Sequence, residues 1–200
     1  MGKERLRPLS GPSHVRTRAL PIRSWSGAAF RICRIGRDPI YFGKQALSRF
    51  DDPRREFGVL YAAGSAEGAF VETCIRDERA DGRSISETFL RERRLTLISF
   101  PAPLRLVDLT GRELSWLGAD GRLTTGAYGL SQRWSRAFWS HPDRPDGILY
   151  CSRFNLSLQC VALFDRAGKG VTSKDLGPLL GTGNLELVGE MLARYRLALI

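Results

Sequence analysis

Apolar residues gather along this chain in runs of strand length, separated by turns rich in Gly, Pro, Asp and Ser. Residues 29–35 predict a first strand and residues 57–63 a second. Gly64-Ser65 breaks the second run, and Ser65 is placed to cap a helix over 65–78. Residues 95–100 and 104–109 predict two further strands across Pro101-Ala102-Pro103, spaced closely enough to expect antiparallel neighbours. Strands at 148–153 and 158–164 follow. Leu130, Trp134, Ala137 and Phe138 recur at helical spacing, which predicts a helix over 128–139. Shorter helices are expected at 113–117 and from Ser86, and a last one at 184–195. Residues 1–28 carry Arg, Pro, Ser and Gly without a period and read as a basic N-terminal arm, flexible or lying on the surface. Strands and helices mix without a βαβ repeat. The expected fold is therefore α+β: one domain over 29–200, a mixed β-sheet core with flanking helices.

Composition narrows the function classes. The 200 residues suffice for one core. The longest apolar runs are strand-length, so no membrane span is expected, and the basic N-terminus lacks the apolar centre of a secretory signal. Net charge is +10, carried almost wholly by arginine. That suits an anionic partner, and it also suits an arginine-rich genome. Cys33, Cys74, Cys151 and Cys160 form no CxxC pair, so a zinc site is not expected and they read as small buried hydrophobes of a reducing cytoplasm.

Polar residues inside apolar runs are the candidates for chemistry. Glu72 follows Ala69, Phe70 and Val71 and precedes Cys74 and Ile75; it is either a desolvated carboxylate with a role or a solvated one paired with Arg76. Arg31 lies in the first strand and Arg49 flanks the second. Either could meet a phosphate, and Arg49 could instead pair with Asp51 or Asp52. Tyr61 is a strand aromatic that could also stack on a flat ring. Ser152 is a strand-end hydroxyl with the choice of a ligand or the local backbone. Other motifs fail. There is no GxSxG, and His14 and His141 stand in Pro-rich surroundings expected at the surface. Gly181-Thr182-Gly183 lacks the third glycine of a dinucleotide fingerprint, and Gly168-Lys169-Gly170 is no P-loop.

The stretch 49–72, together with Ala29-Phe30-Arg31-Ile32-Cys33-Arg34, Asp146 to Phe154 and Gln159 to Phe164, resembles the RES domain family, the toxin half of bacterial RES–Xre toxin–antitoxin pairs. No one of these motifs is specific; four in the right order are considerably more so. The resemblance covers roughly residues 29–165 and implies an ADP-ribosyltransferase-like fold acting on NAD. It implies Glu72 as the residue that stabilises an oxocarbenium ion at the nicotinamide ribose. Arg31 and Arg49 would hold the diphosphate, Tyr61 would pack on nicotinamide, and Ser152 would fix the ribose or carboxamide. NAD would be substrate, with inorganic phosphate a candidate co-substrate and no cofactor or metal required. The family also implies a cognate Xre-type antitoxin, hence a hetero-oligomer, with no direct DNA binding by this chain. Two rival classes stand beside it. One is a protein-directed ADP-ribosyltransferase using the same pocket. The other is a basic nucleic-acid-binding module, whose best feature is Trp134 and Trp139 beside Arg133 and Arg136.

Overall fold

The computed structural model describes residues 12–76 and 84–200. In chain order the elements are β1 (Ile22–Trp25), β2 (Ala29–Arg34), β3 (Val59–Ala63), α1 (Ala66–Phe70), β4 (Ser84–Ile85), α2 (Glu87–Arg91), β5 (Arg93–Ser99) and β6 (Leu104–Asp108). They continue as α3 (Glu113–Trp116), α4 (Arg122–Thr125), α5 (Tyr128–Trp139), β7 (Gly147–Cys151), β8 (Gln159–Phe164), β9 (Thr172–Pro178), α6 (Leu185–Arg194) and β10 (Ala198–Leu199). A 3-10 turn, Pro12–Thr17, precedes β1.

Eight strands form one mixed sheet in the order β1-β6-β7-β8-β3-β2-β5-β9. The expected α+β class with flanking helices holds. Side chains alternate between the faces of each strand. Val59, Tyr61 and Ala63 of β3 join the larger core with Phe50, Phe70, Trp134 and Phe138, whereas Leu60 and Ala62 join Ile98, Leu106 and Leu163 on the other face. All four cysteines are free thiols; Cys74 and Cys160 are fully buried.

Three expectations need correction. Residues 22–25, assigned to the arm, form edge strand β1, paired antiparallel with β6 from Ile22↔Val107 to Trp25↔Leu104. Val15 and Leu20 are buried beside it. An edge strand needs only one apolar face, and its four residues are too few to display alternation. Secondly, β5 and β6 are not neighbours. β5 pairs with β2 and β9, while β6 lies between β1 and β7 and runs parallel to β7. The prolines between them carry the chain from one part of the sheet to the other instead of turning a hairpin. Thirdly, His141 is buried; its Nδ1 accepts from Asp143 N at 3.0 Å and its Nε2–H faces Arg18 O at 3.0 Å.

One irregularity positions the site. β2 pairs with β5 along its whole length, from Ala29↔Ile98 to Arg34↔Arg93, but meets β3 only at Phe30↔Ala63. Past that point the two strands part. The segment before β3 folds back instead, with Gly43 bridging Val59. The sheet is therefore split, and the split opens a cavity between β2 and β3.

Candidate active site

The helix after β3 begins as the sequence predicts. Ser65 is extended at the N-cap and its hydroxyl accepts from Gly68 N at 3.0 Å. After Phe70 the α1 turns widen into a π turn over Val71–Ile75, which contains Glu72. Single π turns recur at functional sites because the extra residue re-aims a side chain without ending the helix. Val71 and Cys74 stay buried while Glu72 looks into the split.

The cavity in the split measures about 630 Å³, within the range of small-molecule sites. Arg31 and Arg34 line it from β2, Tyr61 and Ala63 from β3, Glu72 and Arg76 from the helix, and Tyr150 from β7. A smaller hollow adjoins it, sharing Tyr61, Glu72 and Tyr150 and adding Arg49, Tyr128 and Arg153. Three of the five candidate residues, Arg31, Tyr61 and Glu72, thus line the cavity, and a fourth, Arg49, lines the hollow that shares its wall. The fifth, Ser152, is fully buried behind it and donates its hydroxyl to Glu72 Oε1 at 2.6 Å. That distance marks a short, charge-assisted hydrogen bond. Ser152 Oγ also accepts from Phe154 N at 3.2 Å, the local backbone role weighed for it. It lines neither hollow, so the expected direct hold on the ribose or carboxamide is corrected: buried behind the wall, its hydroxyl is spent on Glu72.

The other candidates are held by identifiable partners. Arg49 reaches Gly126 O at 2.8 Å and Ser131 Oγ at 3.4 Å, and its guanidinium stands 4.8 Å from the Tyr128 ring centre. The ion pairs considered with Asp51 and Asp52 are taken up differently. Asp51 accepts from Leu47 N, Ser48 N and the Tyr61 hydroxyl, and Asp52 pairs with Arg136 at 2.9 Å. Arg31 Nη1 donates to Pro39 O at 2.9 Å and Tyr41 O at 3.3 Å. Burial lowers the pKa of both Arg31 and Arg49, so each gains from an anion that restores the solvation it has lost.

The Tyr61 phenol donates to Asp51 Oδ1 at 2.9 Å and accepts from Phe50 N at 2.8 Å, which fixes its ring at the cavity wall. Burial first, and the Asp51 charge second, push its pKa well above the ordinary value. Tyr150 is raised chiefly by burial, with the charges of Cys160 and Glu72 adding to it. Its ring packs edge-on to Phe50 at 5.0 Å. Tyr150, Arg153 and Tyr128 do not stand out as site residues in the sequence, and Arg76 enters there only as a partner for Glu72. Tyr150 sits in an apolar strand where a core aromatic is ordinary, and the arginines are lost among the 31 basic residues.

The tryptophans offered for nucleic-acid stacking point inward. Trp134 is fully buried, and Trp139 stacks on Phe57 at 4.8 Å with the rings 12° apart. Among the described residues no cluster of His, Cys, Asp and Glu has the makings of a metal site, and no helix is long and apolar enough to cross a membrane.

Comparison with known proteins agrees with this architecture. The sequence model of the RES domain matches residues 22–180. A curated protein of Sinorhizobium fredii, Probable toxin y4kH, is 38% identical over 92 residues, which is 46% of this chain and 72% of that protein. A chain in the crystal structure of the M. tuberculosis MbcT-MbcA toxin-antitoxin complex superposes with a TM-score of 0.64 over 86% of this chain and 92% of its own length. At 22% identity that likeness speaks for the fold alone.

Proposed function

Since this chain belongs to the RES domain family, we propose that it is the toxin of a toxin–antitoxin pair and destroys NAD by cleaving the nicotinamide–ribose bond. The observation that carries the reading is the Ser152–Glu72 hydrogen bond at the wall of a cavity flanked by Arg31, Arg49 and Tyr61. Departure of nicotinamide leaves positive charge on the ribose, as in glycoside cleavage. A carboxylate held at the cavity wall stabilises that charge more than it stabilises the neutral sugar, which is what acceleration requires. Ser152 holds Glu72 in one rotamer, so little reorganisation remains for the reaction itself.

The remaining groups bind and orient. Arg31 and Arg49 are partly desolvated cations on either side of Tyr61, suited to the two phosphates of the substrate. Tyr61 offers an aromatic face, and its hydroxyl is already committed to Asp51 and Phe50. It therefore stacks on nicotinamide and does not donate to it. The acceptor of the ADP-ribose is water or inorganic phosphate. Toxin names among the relatives, and the antitoxin in the complex that shares the fold, support a cognate antitoxin partner that restrains this cavity in the cytoplasm.

The test is incubation of the purified chain with NAD, with and without phosphate, and identification of the products by mass spectrometry. Free nicotinamide with ADP-ribose, or with its 1-phosphate when phosphate is present, is the expected result. Intact NAD under both conditions would overturn the reading. A mass increase on an added protein, in place of free ADP-ribose products, would move it to the transferase class.

A further inference from the structure

The Ser152–Glu72 bond joins two segments far apart in the chain: the helix that starts at Ser65 and the loop that follows β7. The same two segments are joined at a second point by Tyr195, the C-cap of α6. Its hydroxyl donates to Glu67 Oε1 at 2.8 Å, and its oxygen accepts from Asn155 Nδ2 at 2.9 Å. Glu67 stands on the helix that carries Glu72, and Asn155 on the loop that carries Ser152.

Both partners are themselves fixed. Glu67 Oε2 accepts from Arg194 Nη1 at 2.7 Å. Asn155 Oδ1 accepts from Ser157 N at 3.1 Å and Ser157 Oγ at 2.7 Å. The loop closes on itself through Leu158 N to Asn155 O at 3.0 Å and Ser152 N to Leu158 O at 2.9 Å, so a shift of Asn155 carries Ser152 with it. Tyr195 is anchored by its own N–H to Met191 O at 3.0 Å, and Met191 and Val188 of α6 are buried in the larger core. Burial raises the Tyr195 pKa, which keeps the phenol protonated and able to donate to Glu67.

The helix needs such a brace. Between Glu67 and Glu72 it passes from α to π geometry, and a return to α geometry would rotate Glu72 away from Ser152. We infer that Tyr195 is a positioning residue, one that holds Glu67 and Asn155 together and thereby sets the geometry of the Ser152–Glu72 pair. α6 lies beyond the residues that the family's sequence model matches, so this is a feature of the chain outside that shared span. The inference rests on the proposed function for its consequence, and on hydrogen bonding alone for its existence.

The experiment compares wild type, Tyr195→Phe, Ser152→Ala and the double variant, with Arg91→Ala as the control that removes only an exposed ion pair on α2, away from the brace. Steady-state NAD consumption and backbone hydrogen exchange are both read. Expected for Tyr195→Phe is a kcat about five- to tenfold lower with KM unchanged, equivalent to losing about one hydrogen bond at the transition state. No further loss is expected when it is added to Ser152→Ala. Exchange should quicken in 66–76 and 152–158 while the sheet stays as in wild type. Arg91→Ala should leave kcat, and exchange in those two segments, as in wild type. Unchanged kcat, an effect additive with Ser152→Ala, or exchange that quickens throughout the sheet would each overturn the inference. A wild-type protein that consumes no NAD would sink the functional reading, and the exchange data would still decide whether Tyr195 braces the two segments.

Discussion

A carboxylate set among Phe70, Val71 and Cys74 needs a partner, and Ser152 supplies one at 2.6 Å. The same logic applies to Tyr61, whose hydroxyl saturates Asp51 and the N–H of the fully buried Phe50. Replacing Tyr61 by Phe leaves that N–H and a buried carboxylate short of a partner, a loss of about 1–3 kcal/mol. The variant should also change the alkaline limb of stability. A phenol whose folded pKa is raised above its ordinary 10.0 contributes stability that is present below pH 10 and lost as pH rises through the folded value. Urea unfolding between pH 7 and 11 should therefore show wild type falling more steeply above pH 10 than Tyr61→Phe; equal slopes would contradict it. Glu72, Arg31 and Tyr61 stand out in the sequence as polar groups inside apolar runs, but pattern alone left each open to an ordinary structural role, and it is the family resemblance that singles them out. Tyr150 could not, since a strand aromatic carries no sign of the cavity it faces.

At the scale of elements, the strands with two buried faces were legible and those with polar faces were not. β7 and β8 are nearly continuous apolar runs, and α5 shows its period in Trp134, Ala137 and Phe138. β9 was missed because Thr172–Pro178 has no buried residue: it is an outer strand whose sequence reads as a loop. The split between β2 and β3 was hidden as well, since pairing partners are set by tertiary packing and not by either strand's own pattern. What shapes the loop between these strands is the buried Asp52. It accepts from Glu56 N at 2.7 Å and Arg54 N at 3.2 Å, and pairs with Arg136 of α5. Arg136→Ala should cost about 2–3 kcal/mol, less than a fully buried pair because the guanidinium keeps some contact with water. It should also raise protease sensitivity within residues 49–56. A stability change under 0.5 kcal/mol would show that the turn holds Asp52 without help.

Across the whole molecule, one mixed sheet does two jobs. Its inner strands carry the core, and its interior split supplies the recess, which strands and the helix after β3 line together with the long segment between β2 and β3 that carries Arg49. The helix after β3, the loop after β7 and α6 meet on one side of that split, which is how residues as distant as Glu67, Asn155 and Tyr195 come to bear on one hydrogen bond. Part of the arginine content gathers here: Arg31, Arg34 and Arg76 line the recess, and Arg49 and Arg153 its annex. In the proposed reaction Glu72 drives nicotinamide from its sugar. The most direct measurement is NAD loss by the wild-type chain against Glu72→Gln at matched concentration, with circular dichroism confirming that both are folded. A fall of about a hundredfold or more in the variant is the prediction; NAD consumption by Glu72→Gln at the wild-type rate would contradict it.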